Sequence, residues 1–249
     1  MSGGTDSRVV AIIQARMGST RLPGKVLMDI AGRTMLARVV ERTRRATLLD
    51  DLLVATTVTP DDDVIVAECA KLGVGTFRGE EEDVLDRYYR AALQAYASAV
   101  VRITSDCPLT DPEVTDRVIG AFLESGADLA SNSLERSYPL GLDATVVGMD
   151  ALAQAWREAT KPYERAHVTP FISRNPSRFR IRPVKGDADY SSCRWTVDTR
   201  EDLEFAGTVY AKLGREGQFT WRDVIALLTR EPWIAEINRH VRQKGLEEC

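Results

Sequence analysis

Eleven residues, Ala15 to Lys25, carry three fixed cations: Arg16, Arg21 and Lys25. Gly18 and Gly24 lie among them, with Ser19, Thr20 and Pro23. Arginine and lysine are charged at pH 7, and glycine lets backbone N–H groups approach an anion closely. A polyphosphate is the ligand that suits such a loop. It is not a P-loop, because five residues separate Gly18 from Gly24 and Val26 follows Lys25; nor is there a G-x-G-x-x-G. A basic surface loop is the plainer reading of the same residues.

Carboxylates supply the other half of a phosphate chemistry. "SDCPL" puts Asp106 directly after an apolar run, and "TVDT" holds Asp198. A hard divalent ion takes carboxylate oxygens and keeps several waters. An Asp after a strand is also a common cap, and Thr199 competes with Asp198 to cap the helix "REDLEF". Asp61, Asp62 and Asp63 follow Pro60 and fit a helix start better than a metal motif. Cys107 has no histidine near it in the chain, since only His167 and His240 exist, and reads as a small buried side chain.

A scaffold must bring these loops together. Apolar runs at 9–14, 52–57 and 99–104, with "GTFRG" and "DLASN", read as strands. Helix periodicity lies between them: Leu36, Val39, Val40 and Thr43; "DDDVIVAECAKLG", closed by Gly73; Leu85, Tyr88, Tyr89, Ala92 and Tyr96; and Pro112 to Gly126. Such alternation predicts an α/β, Rossmann-like, mostly parallel sheet flanked by helices. Ligands bind beyond the carboxyl ends of such strands, where the 15–25 loop and Asp106 both fall. After about residue 132 the rhythm changes. "GLDATVVG", "RFRIRPV" and "RWTVD" read as strands before two final helices, so we expect one domain with a β-rich insertion at about 133–192.

"QARMGSTRLPGKVL" closely resembles the signature of cytidylyltransferases that activate sugar acids, nearest to the SpsF-type branch. "RGEEEDVLDRYYRAA", "VRITSDCPLTDPEV", "YPLGLDATVV", "ERAHVTPFI" and "RWTVDTREDLEF" are similar to segments of that branch, in family order. The resemblance covers about residues 9–210. It implies a GT-A/nucleotidyltransferase-type fold and transfer of CMP from CTP to an anionic small-molecule acceptor with release of pyrophosphate. It implies nucleotide contacts from Gln14, Ala15, Arg16, Gly18, Ser19, Lys25, Thr56, Thr57, Arg78 and Asp106, with Arg16, Lys25 and Asp106 catalytic and Arg21 a further cation. Asp106 and Asp198 match metal-proximal aspartates, which implies Mg²⁺. Tyr138, Gly141, Asp143, Glu164, Arg165 and His167 match the acceptor side, where Arg136 adds a cation. Leu140 and Ala144 depart from the pattern, so a sugar acid and a small phosphonate both stay open as acceptors. A homodimer formed through the insertion is implied by the resemblance alone.

Composition narrows the classes. The 249 residues are 44% hydrophobic and 28% charged, with a net charge of -4, so no global basic field points to nucleic acid. No apolar run reaches the ~18–20 residues of a membrane span, and "MSGGTDSR" lacks a signal peptide's apolar segment. Cys69, Cys107, Cys193 and Cys249 show no zinc or disulfide spacing, which suits a cytoplasmic protein. Two rival readings stand beside the transferase: a GT-A glycosyltransferase using a nucleotide-sugar, and a nucleotide-binding protein without turnover.

Overall fold

Each apolar run becomes a strand because both of its faces are covered. In β1 (Val9–Gln14), Val9, Ala11 and Ile13 point to one side and Val10 and Ile12 to the other, all buried. The computed structural model describes residues 7–243 and 245; Cys249 lies outside them. The chain continues through β2 (Asp29–Ile30), β3 (Arg33–Thr34), α1 (Met35–Thr43), β4 (Asp51–Thr57), α2 (Asp63–Lys71), β5 (Gly75–Gly79), α3 (Val84–Gln94) and β6 (Ala99–Thr104). Then follow α4 (Pro112–Ser125), β7 (Leu129–Ser131), β8 (Thr145–Gly148), α5 (Met149–Glu158), α6 (Pro162–His167) and α7 (Pro170–Ser173). The last elements are β9 (Ile181–Pro183), α8 (Arg200–Leu213), α9 (Trp221–Arg230) and α10 (Trp233–Glu236).

Seven strands form one sheet in the order β5-β4-β1-β6-β8-β7-β9. Only β8 runs against its neighbours, pairing antiparallel with β6 and β7. On one face Ala11 and Ile13 pack with Leu36 and Val39 of α1, Ile65 of α2 and Val118 of α4. On the other, Val10 and Ile12 pack with Leu85 and Tyr88 of α3 and Leu152 of α5. A third cluster seats α8, α9 and α10 around Trp195, Tyr138 and Leu22, beside the 15–25 loop. No helix among the described residues is long and apolar enough to cross a membrane.

The interval 133–192 is less β-rich than its sequence suggests. It contributes β8 and β9 to the main sheet, and α5, α6 and α7 lie between them. "RWTVD" forms no strand; Arg194 makes a single bridge to Leu140. Tyr96 also differs from expectation, because α3 ends at Gln94 and Tyr96 stands 86% exposed beyond it.

That bridge fixes Gly141. Leu140 N–H donates to Cys193 O and Trp195 N–H to Leu140 O, drawing two segments together. Gly141 has φ 111°, and a Cβ there would sit 2.7 Å from the Trp195 carbonyl carbon and the Thr196 nitrogen. Gly141→Ala should therefore destabilise the fold by about 3 kcal/mol or more, since it adds a backbone clash to a strained φ. Urea unfolding checks this; a loss under about 0.5 kcal/mol, the size of an ordinary surface change, would refute the packing role.

Candidate active site

The 15–25 loop is held by an aspartate from the next strand connection. Ala15 N–H donates to Ala55 O, continuing the β1–β4 ladder, and Met17 N–H donates to Asp62 Oδ1. The other Asp62 oxygen accepts from Thr56 Oγ1, Thr57 N–H and Thr57 Oγ1. Burial would raise the Asp62 carboxyl, but these hydrogen bonds outweigh it and lower its pKa. Met17 O then accepts from Ser19 N–H and Gly24 N–H, closing the loop on itself. Gly24, at φ 70°, turns the chain into a 3₁₀ turn, Lys25–Leu27, whose buried Val26 anchors it.

These bonds engage several of the residues expected to contact a nucleotide. Thr56 and Thr57 are buried and bonded to Asp62. Arg78 braces the same connection, donating to Thr57 O and Thr59 O and pairing with Asp63 at 2.6 Å rather than with Glu80 to Glu82. The Ser19 amide is taken by Met17 O, and Ser19 Oγ accepts from Leu22 N–H. Arg16 stands apart from Asp106, paired with Glu81 at 3.1 Å on the exposed rim, and a Cβ on Gly18 would come 3.2 Å from that same Glu81 carboxylate.

Lys25 is the centre of the site. Its Nζ lies 2.8 Å from Asp106 Oδ2, Asp198 Oδ1 and Val197 O. Arg21 pairs with Asp198 Oδ2 at 2.7 Å, and Arg194 reaches both Asp198 and Asp202 at 2.9 Å. Three cations thus face three carboxylates. Asp106 comes from the turn after β6, where Val197 N–H donates to its carbonyl and ties the two aspartate segments together. Thr199 and Asp202 form the capping box of α8, which leaves the Asp198 side chain free to face Lys25. Burial alone would raise the Asp106 carboxyl; the Lys25 charge, its hydrogen bond and Thr104 reverse that and hold it at about 2. Burial likewise opposes the Lys25 charge, yet the two aspartates raise its pKa. Cys107 is pushed well above the usual thiol range by burial and by Asp106, which disfavours its thiolate.

The expected acceptor residues fall into separate places. Arg136 and half-buried Asp143 grip each other through two hydrogen bonds. Tyr138 is buried edge-on against Trp221. Glu164 is buried and caps α6 by accepting from Lys161 N–H. Arg165 forks onto Asp83, the cap of α3, and donates to Trp156 O. His167 ends α6 just before Val168, a β-branched residue at φ 72° whose neighbours close a γ-turn, Thr169 N–H to His167 O. That is the rarer, strained hand of the turn, and it fixes the direction in which His167 leaves the helix.

Asp62, Arg194 and Asp202 were not singled out from the sequence. Asp202 had a signal, the T-x-x-D spacing of a capping box. Nothing distinguishes Asp62 from the acids beside it before the fold buries it.

The cytidylyltransferase family profile matches residues 10–227. The spore coat polysaccharide biosynthesis protein SpsF of Bacillus subtilis is 35% identical over 90% of this chain and 95% of its own. A cytidylyltransferase structure from Leptospira borgpetersenii superposes with a TM-score of 0.89 at 30% identity, over 96% of this chain and 99% of the other. A CMP:2-keto-3-deoxy-manno-octonic acid synthetase solved with CTP shares the fold at TM-score 0.63 and 19% identity, over 83% of this chain and 99% of its own.

The low Asp106 pKa has a direction in pH. A carboxyl depressed on folding adds stability that is complete above its unfolded value and is lost as pH falls toward about 2. The stability advantage of the parent over Asp106→Asn should thus shrink by about 1 kcal/mol between pH 5 and pH 3. Urea titrations at each pH measure it, and a gap that stays constant would show that Lys25 does not hold Asp106 ionised.

Proposed function

The chain belongs to the cytidylyltransferase family and is a nucleotidyltransferase, and from that premise we propose that it transfers CMP from CTP to an acidic small molecule, releasing pyrophosphate. One observation carries the reading: the Lys25 ammonium gathered with two aspartates and a carbonyl oxygen at the carboxyl edge of the sheet. Both reactants are anions, so their approach needs charge neutralisation and positioning more than covalent help. The synthetase solved with CTP, which shares the fold, is the precedent for the nucleotide.

The donor set around Lys25 suits a hard divalent cation, since three oxygens, two of them carboxylate, already converge on one positive charge. Asp106 and Asp198 would hold Mg²⁺, which when bound neutralises triphosphate charge and polarises the α-phosphate. Lys25 and Arg21 exchange their aspartate partners for phosphate oxygens as the nucleotide enters, and Arg16 leaves Glu81 in the same way. An acceptor oxygen then bonds to the α-phosphorus while the bond from that phosphorus to the β-bridging oxygen breaks. Pyrophosphate leaves with the electron pair, and the cations of the loop stabilise its charge.

With CTP, Mg²⁺ and a panel of sugar acids and small phosphonates, pyrophosphate should appear for at least one acceptor. Asp106→Asn should lower kcat on the order of 10²-fold or more, because it removes a charge that places the metal and Lys25 together. CTP binding without pyrophosphate from any acceptor, or a near-normal rate in Asp106→Asn, would contradict the proposal.

A further inference from the structure

Arg102 lies on β6, in the middle of the sheet, four residues before Asp106. Its register partners are Ile12 on β1 and Thr145 on β8. Ile12 and Val100 belong to the cluster under α3 and α5, so side-chain alternation puts Arg102 on that face. The side chain is half-buried and its Nε is wholly shielded, yet among the described residues it makes no hydrogen bond or ion pair. Its charge lies near the buried Tyr88 hydroxyl, whose pKa it opposes burial in raising.

Arg45 and Arg87 also leave a shielded Nε without a partner, but each makes another hydrogen bond, to Gln218 and to Glu80 O, whereas Arg102 makes none among the described residues. Arg38, Arg42, Arg136, Arg165 and Arg194 are buried to a similar or greater degree, and every one has carbonyl or carboxylate acceptors. An unpaired guanidinium taken partly out of water is costly, so a protein retains one where something else supplies the acceptor.

A second unsatisfied group sits alongside. Gln14 ends β1, its Cα in register with Thr104, and the two-residue period puts both on the same face as Arg102. Its side-chain Oε1 is shielded from solvent and accepts no hydrogen bond. Thr104 lies between Arg102 and Asp106 on β6, roughly 7 Å along the strand from Arg102, and its hydroxyl helps to hold the Asp106 carboxyl ionised. One face beside Asp106 therefore offers a planar cationic donor fork and an amide acceptor, both without partners.

We propose that Arg102 anchors the carboxylate of the acceptor and that Gln14 Oε1 accepts from a hydroxyl of the same molecule, which makes the acceptor a hydroxy-carboxylate rather than a phosphonate. This rests on the transferase reading of the neighbouring site. Guanidinium and carboxylate match as a two-point fork, and neither a lysine nor an ester reproduces that pairing. The acceptor is thereby oriented along β6 with its reacting end toward Asp106. Arg102 acts as a specificity and positioning group and leaves the nucleotide to Lys25 and Arg21.

Arg102→Met and Arg102→Lys test this in the full-length chain. For the panel acid with the fastest pyrophosphate release, Arg102→Met should raise the acceptor KM by ten- to a hundred-fold, the usual worth of a charge-assisted hydrogen bond. The KM for CTP should stay within threefold of the parent. Arg102→Lys should recover part of the loss, and the methyl ester of the same acid should be equally poor with parent and Arg102→Met. Thermal unfolding separates this from a structural role, because removing an unpaired charge should leave Tm unchanged or raise it. An unchanged acceptor KM, an equal rise in the KM for CTP, or a phosphonate preferred to every carboxylic acid would overturn the proposal. If the parent turns over no acceptor of the panel, acid or phosphonate, the transferase reading fails first. Arg102 is then tested by the ¹⁵N signal of its Nε–H during titration with D-glycerate, which should shift it where methyl glycerate does not; no shift with either refutes the anchor.

Discussion

A lysine ammonium suspended between two aspartates is the constraint around which this molecule is organised. Lys25 comes from the first strand-to-helix connection, Asp106 from the fourth parallel strand, and Asp198 from the approach to α8. Their meeting requires the sheet to place β1 beside β6 and the C-terminal helices to close over both. Like charges at close range repel, and the two aspartates share this spot because Lys25, Arg21 and Arg194 offset them. The charges are nearly balanced among themselves, so on the proposed reading a nucleotide with its metal would meet groups that already have partners to exchange. A site of this kind is kept ordered before binding, and the exchange of partners limits how much net affinity the charges provide.

Residues around the cluster hold it in place. Asp62 collects four hydrogen-bond donors and fixes the loop at Met17, and Arg78 holds the connection that contains Asp62. Asp202 caps α8 while accepting from Arg194, which steadies Asp198 from behind. The loop is therefore set in place by buried carboxylates that face inward, while its cations pair with Glu81, Asp106 and Asp198.

The alternating half of the fold was legible because buried parallel strands are short unbroken apolar runs and amphipathic helices keep their period. "VVAIIQ" and "AVVRIT" stand where they were expected, and Pro112 starts α4. The family motifs single out Lys25, Asp106 and Asp198, and the structure brings the three together. The motifs did not reveal which aspartate Arg21 would choose, or that Arg16 would pair with Glu81, because side-chain pairing depends on contacts between segments far apart in sequence. Thr56, Thr57 and Arg78 resemble nucleotide contacts, and in this structure their side chains brace the connection that carries Asp62, a pairing the motifs do not reveal. Arg102 went unremarked for a related reason. An arginine inside a strand carries no mark of being unpaired, and only the structure shows that its neighbours leave it so.

The most direct measurement is a crystal structure of the full chain with CTP and Mg²⁺. The account predicts that Lys25 Nζ leaves the position it holds 2.8 Å from both Asp106 and Asp198 and lies within hydrogen-bonding distance of a phosphate oxygen, with the metal on the two carboxylates. Lys25 still clasped by both aspartates, with the triphosphate bound away from the 15–25 loop, would contradict it.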